Sequence, residues 1–221
     1  MIPVPEQPRV VDTLDRMADV QWQPSLLGGG GEPRIDPSFA GLVHHDLVGN
    51  AWVEHVPGFV ADADALFEAL LTGVSWRHHT RRMYDKVVDQ PRLDASWKRS
   101  NGEPILPVIG DMLDALTERY GRPFTTGGLN LYRDGRDSVA WHGDRIPADV
   151  VDPVVGIVSL GEPRTFRLRP KGGGRSIAFL PRHGDLLVTG GTCQRTWEHS
   201  VPKTSAPVGP RISITLRHAA D

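Results

Sequence analysis

Arg211-Ile212-Ser213-Ile214-Thr215-Leu216-Arg217 alternates with a period of two. Arg211, Ser213, Thr215 and Arg217 share one face and Ile212, Ile214 and Leu216 the other, the pattern of a strand with one polar and one apolar side. Two arginines on that polar face are costly to bury unless anions meet them. Two readings follow: an edge strand with solvent-facing arginines, or a buried strand whose guanidinium grips a carboxylate through two parallel hydrogen bonds. Back to Pro123 the texture is the same. Strands are expected near Gly128–Tyr132, Val139–Trp141, Val154–Ser159, Thr165–Arg169, Ser176–Leu180, Asp185–Thr189 and Thr196–His199, with turn signals between them. Short strands at that spacing predict a sandwich or barrel. The 24 glycines and 19 prolines favour the same architecture over a helix bundle.

Toward the N-terminus the pattern changes. Residues 1–45 read as a weakly ordered extension, broken by Pro3, Pro5, Pro8, Pro24, the Gly28–Gly31 run, Pro33 and Pro37, with room for a short helix around Val11–Val20. Residues 46–125 read as an α/β region. It holds a strand or two in Asp46–Val60, a helix over Ala61–Leu71 with Asp62 as N-cap, and a basic hairpin over Trp76–Trp97. A second helix over Ile105–Tyr120 carries the stripe Ile109, Leu113 and Leu116, with Gly121 at its C-cap. Residues 126–221 form the β core, and the whole is expected to work as one functional unit. The fold class is mainly β with an α+β N-terminal extension.

At 221 residues the chain is long enough for a substantial core. Its apolar runs are far short of a membrane span, and no signal-peptide pattern opens it. The single cysteine, Cys193, excludes internal disulfides and fits a reducing cytoplasm; a monomer is expected. The net charge of −2 hides an asymmetry: residues 1–75 carry eleven acids and three bases, residues 76–221 sixteen acids and twenty-two bases. Arg77 to Arg99 holds seven bases against three aspartates, and Arg164 to Arg182 six bases and no acid. Such a basic face fits an anionic ligand, a polynucleotide among them, or solvated arginines on strand faces.

Three H-x-D triplets occur, at His44/Asp46, His142/Asp144 and His183/Asp185, so context must separate them. Gly184 and Asp185 look like the tight turn opening a strand, a structural role. His44-His45-Asp46 reads as surface. His142-Gly143-Asp144 lies where a strand ends, and residues i and i+2 of extended chain point the same way, so imidazole and carboxylate can share one metal. His199, at the end of another strand, qualifies as third ligand. Two neutral imidazoles and a carboxylate form the facial triad of non-haem Fe(II) oxygenases, with positions left open. The same set suits zinc, and His199 as a satisfied core histidine is the plain alternative.

Taken together these residues resemble the AlkB-type 2-oxoglutarate/Fe(II)-dependent dioxygenases, which repair alkylated nucleobases. The likeness runs in order through residues 126–217. It takes in Gly128 to Gly135, Trp141-His142-Gly143-Asp144, Ser159 to Arg169, Gly184 to Val188, Gln194 to Lys203 and Arg211 to Arg217. More loosely, Trp76 through Met83 and Pro91-Arg92-Leu93 look like the family's substrate lid.

The resemblance implies a double-stranded β-helix (jelly roll) catalytic core, with Fe(II) held by His142, Asp144 and His199. It implies that Arg211, helped by Tyr132, pairs with the distal carboxylate of the co-substrate 2-oxoglutarate. Asn130 and Arg217 would hold the carboxylate beside its keto group, with Ser213 on the same face. Trp76, Met83, Tyr84 and Arg164 would lie near substrate. The implied reaction uses O2 and 2-oxoglutarate to hydroxylate an N-methyl group on a base of single- or double-stranded DNA or RNA. It releases formaldehyde, succinate and CO2, and a base inside a duplex would have to be flipped out.

Two positions depart from the family pattern. Ile146 stands where DNA-repair members commonly have an acidic residue two positions after the metal aspartate. Ser213 and Leu216 replace the usual Asn and Phe of the terminal strand. The same chemistry on a substrate other than nucleic acid is the alternative.

Overall fold

The computed structural model describes residues 20, 22–23, 30–83, 86–102, 104, 106–144, 146–150 and 152–218, with backbone alone for those described within 79–90. The helix considered at Val11–Val20 lies outside the described residues but for its last. The described chain opens with β1 (Arg34–Ile35), β2 (Val43–Leu47), β3 (Ala51–Val56), β4 (Val60–Ala61) and helix α1 (Ala63–Gly73). The hairpin β5 (Arg77–Met83) and β6 (Lys86–Lys98) follows, then helix α2 (Pro107–Tyr120). The remainder is β7 (Phe124–Tyr132), β8 (Val139–His142), β9 (Val155–Gly161), β10 (Phe166–Pro170), β11 (Ile177–Phe179), β12 (Leu186–Gly191), the single turn α3 (Cys193–Thr196), β13 (Trp197–Val201) and β14 (Arg211–His218).

The strands make two main antiparallel sheets. One has eight strands in the order β2-β3-β12-β9-β14-β7-β6-β5, the other four in the order β11-β10-β13-β8, and β1 pairs with β4. Strand β14 lies inside the larger sheet, between β9 and β7, so the edge-strand reading of Arg211–Arg217 does not hold. Its apolar face, Ile212, Ile214 and Leu216, is fully buried in a core shared with Leu66, Phe67 and Leu70 of α1 and Met112, Leu113 and Leu116 of α2. Each such side chain contributes about 1.5–3 kcal/mol by leaving water. Trp22 and Phe39 of the N-terminal region pack on this same core, Trp22 with its ring 4.3 Å from that of Phe67.

A second core fills the space between the two sheets, with Val155, Ile157, Phe166, Leu168, Leu187, Trp197 and Val201. The layers are therefore helices, large sheet and small sheet, consistent with the jelly-roll core that the family resemblance implied. The polar face of β14 looks into the inter-sheet space, and that places the site.

Helix α2 behaves as its pattern predicts. Pro107 occupies the first turn, where its missing N–H costs nothing, and Gly121 (φ 62°) returns its N–H to Thr117. Helix α1 departs in one respect. Asp62 precedes it with φ 52° and its side chain makes no capping hydrogen bond. The pairing of Arg34 with Ala61 brings an arginine alongside, and the Asp62 carboxylate accepts from Arg34 Nη1 at 2.6 Å instead. The turn at His183-Gly184-Asp185 is structural, as expected: Asp185 is buried and accepts from the N–H groups of Gly58 and Arg182 and pairs with His55.

Candidate active site

Strand pairing assembles the trio. His142 closes β8 and lies directly opposite His199 of β13, their rings 4.3 Å apart. Asp144 follows two residues later, and the ligand atoms of His142, Asp144 and His199 all lie within 4.8 Å of one another. His142 Nδ1 is 2.9 Å from the Ala140 carbonyl, which can only accept, so that nitrogen carries a proton and Nε2 is the ring atom left to serve as a ligand.

The electrostatics prepare the same groups as ligands. Burial drives His199 down to about 4, although the Asp144 carboxylate pulls the other way, so the imidazole is neutral at ordinary pH. Burial also opposes charge on Asp144, but the Arg217 guanidinium, which donates to Asp144 Oδ1 at 2.8 Å, and the two nearby imidazoles outweigh it. The carboxyl is held below its usual range and stays ionised.

A cavity of about 280 Å³ opens on the trio and extends across the polar face of β14. At its floor Arg211 is 2% exposed. Its Nη2 donates to Ser159 at 2.8 Å and its guanidinium lies 5.3 Å over the Tyr132 ring, yet its Nε is buried with no hydrogen-bond partner. Burial pushes its pKa down from the ordinary guanidinium value. A buried cation with a spare donor calls for an anion. Ser213 sits between Ser159 and Asn130 in register and accepts from Asn130 Nδ2 at 3.4 Å, so the serine keeps the polar link across the strands. Asn130, Tyr132, Arg211, Ser213 and Arg217 all line this one cavity with the trio.

Two of the residues expected at the substrate lie elsewhere. Trp76 is buried in the helix-side core, with its indole N–H donating to Leu71 O at 3.2 Å; a large aromatic at the exit of α1 fills core space. Arg164 is 3% exposed and donates to three backbone carbonyls, those of Asp134, Asp137 and Pro202, bracing the loops that flank β8 and β13. Met83 ends β5 opposite Lys86, and Tyr84 lies outside the described residues. The cavity wall that the sequence pointed to only loosely, through Pro91-Arg92-Leu93, is β6: Arg92 lines it together with Asp94 and Ser96, which were not singled out. Their spacing of two along a strand was the available signal. Arg195 was also missed; it donates to Ile146, Pro147 and Val150 carbonyls and fixes the loop after Asp144.

Residues 53–217 match the 2OG-Fe(II) oxygenase superfamily, three quarters of the chain and every element of the site. The chain belongs to that superfamily. Among its relatives the bovine (Bos taurus) "Alpha-ketoglutarate-dependent dioxygenase alkB homolog 3" is 34% identical over 182 residues, covering 73% of this chain and 64% of the relative. Its human (Homo sapiens) counterpart is 33% identical over the same shares. The "DNA oxidative demethylase ALKBH2" of Arabidopsis thaliana is 29% identical over 190 residues, covering 68% of this chain and 60% of the relative. The chain thus spans a little under two thirds of the length of these relatives. Membership decides between iron and zinc, and the oxygenase site fits both of the superfamily's groups: two imidazoles and a carboxylate for Fe(II), and the partnerless Nε of Arg211 for a carboxylate of 2-oxoglutarate. Among the described residues no helix is long and apolar enough to cross a membrane.

Proposed function

We propose that the protein removes alkyl groups oxidatively from N-alkylated bases of DNA or RNA, using Fe(II), O2 and 2-oxoglutarate and releasing formaldehyde, succinate and CO2. The observation that carries this reading is one cavity that joins the His142–Asp144–His199 trio to the buried guanidinium of Arg211. When bound, the metal and its co-substrate supply the oxidising power that puts a hydroxyl on the N-methyl carbon.

The chain's own residues do the rest. His142 and His199 offer ring nitrogens, that of His199 neutral, and Asp144 an ionised oxygen. Arg211, with Tyr132 and Ser159 around it, anchors the far carboxylate of the keto-diacid, and Asn130 and Arg217 hold the near one. Arg195 and Arg164 keep the loops around these groups from moving. The low-dielectric walls, Ile157, Phe166 and Val201 among them, keep water away and strengthen each charge contact.

The partner is a single- or double-stranded alkylated nucleic acid, in keeping with the demethylase name of the Arabidopsis relative, and the protein works as a monomer in the cytoplasm. Cys193, a buried free thiol, accords with a reducing compartment. The test is formaldehyde release from a methylated oligonucleotide with Fe(II) and 2-oxoglutarate. We expect release with the wild type and none with His142→Ala; a wild type that yields none sinks the reading. A second reading, the same oxidation on a different substrate, draws on Arg164, which is buried against backbone carbonyls and leaves less basic surface for phosphates than the sequence suggests.

A further inference from the structure

Among the described residues that line the cavity, two are carboxylates, Asp144 and Asp94. Asp144 belongs to the trio. Asp94 comes from β6, on the far side of the co-substrate residues, and its position follows from register. Asp94 pairs with Asn130, Asn130 with Ser213 and Ser213 with Ser159, a row across four neighbouring strands on one sheet face. The next row runs Ser96, Gly128, Thr215. Gly128 carries no side chain, and a Cβ there would come within 3.5 Å of Arg217 Nη1. Gly128 thus lies between Ser96, its pairing partner, and the Arg217 guanidinium that meets Asp144. With His142, Asp144 and His199 assigned to the metal and Asn130, Tyr132, Arg211, Ser213 and Arg217 to the co-substrate, the polar lining residues that remain are Arg92, Asp94, Ser96 and Thr215. Ile146, where an acid was missing from the family pattern, packs against the inter-sheet core and does not line the cavity.

We propose that Asp94 is the specificity-determining residue of this site and reads the edge of the alkylated base. The assignment rests on the demethylase reading above. An ionised carboxylate only accepts hydrogen bonds, so it selects a base that presents an amino group there. Cytosine and adenine present one, whereas thymine and guanine present a carbonyl oxygen that a carboxylate repels. Methylation at N3 of cytosine or N1 of adenine also leaves the base cationic, which the negative charge of Asp94 favours against the three guanidiniums of the cavity. Arg77 of β5 stands opposite Asp94 in register and donates to Ser96 at 3.2 Å, so a further guanidinium borders this row of the sheet.

The test uses two single-stranded oligonucleotides that differ at one base, N3-methylcytosine or N3-methylthymine. Formaldehyde release gives kcat/KM for each with the full chain loaded with Fe(II) and 2-oxoglutarate. The ratio of the two is the readout, because it does not depend on the fraction of folded protein. We expect the wild type to prefer methylcytosine, Asp94→Ala to lower the preference by about tenfold or more, and Asp94→Asn, which keeps the size and removes the charge, to fall between. A wild type without preference, or a ratio that neither variant moves, overturns the assignment, and so does an equal fall on both substrates. A wild type inactive on both oligonucleotides overturns the demethylase reading and this assignment with it.

Discussion

Arg211 shows how a site can demand a residue that the fold would be better without. Its guanidinium is buried, one donor has no partner, and its pKa is driven down by loss of water. Arg211→Ala is expected to raise the 2-oxoglutarate requirement by about 10- to 100-fold, read as the apparent KM for 2-oxoglutarate in succinate production, because a charge-assisted bidentate contact is lost. Arg211→Met goes further: it is expected to lose the co-substrate while the ligand-free protein melts at the same temperature or higher, since replacing a poorly matched buried charge by an apolar chain is often neutral or stabilising. An unchanged apparent KM in either variant would remove Arg211 from the co-substrate site.

At the scale of elements, strands set the ligands and arginines hold the loops. The cross-strand pair His142–His199 is set by the pairing of β8 with β13, but Asp144 lies just past the end of β8, on a loop. Arg164 and Arg195 supply donors to that region's carbonyls from elsewhere in the chain. Arg164→Ala would leave three buried or half-buried carbonyls without a donor, at a cost of roughly 3 kcal/mol, read as a lower urea midpoint with an unchanged slope. A shift near zero would mean that these loops need no brace.

The same contacts explain what could be read beforehand. The trio was legible because i and i+2 of extended chain point the same way and because a second histidine, His199, falls on another strand, although it sits inside β13 and not at its end as expected. The period of two along Arg211–Arg217 likewise gave both faces of β14 before any coordinates. Arg164 was not legible: its carbonyl partners lie 27 to 38 residues away, and a sequence shows an arginine but not which acceptor it meets. Trp76 failed for a related reason, since an aromatic beside a basic run suits a base stack and a core equally. The lining strand β6 was visible as a hairpin, but not which of its faces turns inward.

For the molecule as a whole, the helix layer and the site lie on opposite sides of the eight-stranded sheet. Stability and chemistry are thus divided between two faces of the same strands: Ile212, Ile214 and Leu216 point to one, Arg211, Ser213 and Thr215 to the other. Ligands that bind the folded state alone raise its stability by mass action, about 2.7 kcal/mol at a hundred times Kd. Fe(II) under nitrogen with 2-oxoglutarate should therefore raise the melting temperature by about 5–10 °C, and a chelator should reverse it. Absence of a shift in the wild type would count against the trio as a metal site.

The contact between Arg217 and Asp144 bears on how iron is taken up. The guanidinium already keeps the acid anionic, and the sequestered His199 ring is already free of its second proton, so these two ligands would meet a cation without first giving up a hydrogen ion. A metal held by Asp144 would compete with Arg217 for its oxygen, and an Arg217 freed from that contact would be available to the keto-acid. Loading the metal and making room for the co-substrate would then be two halves of one exchange of partners.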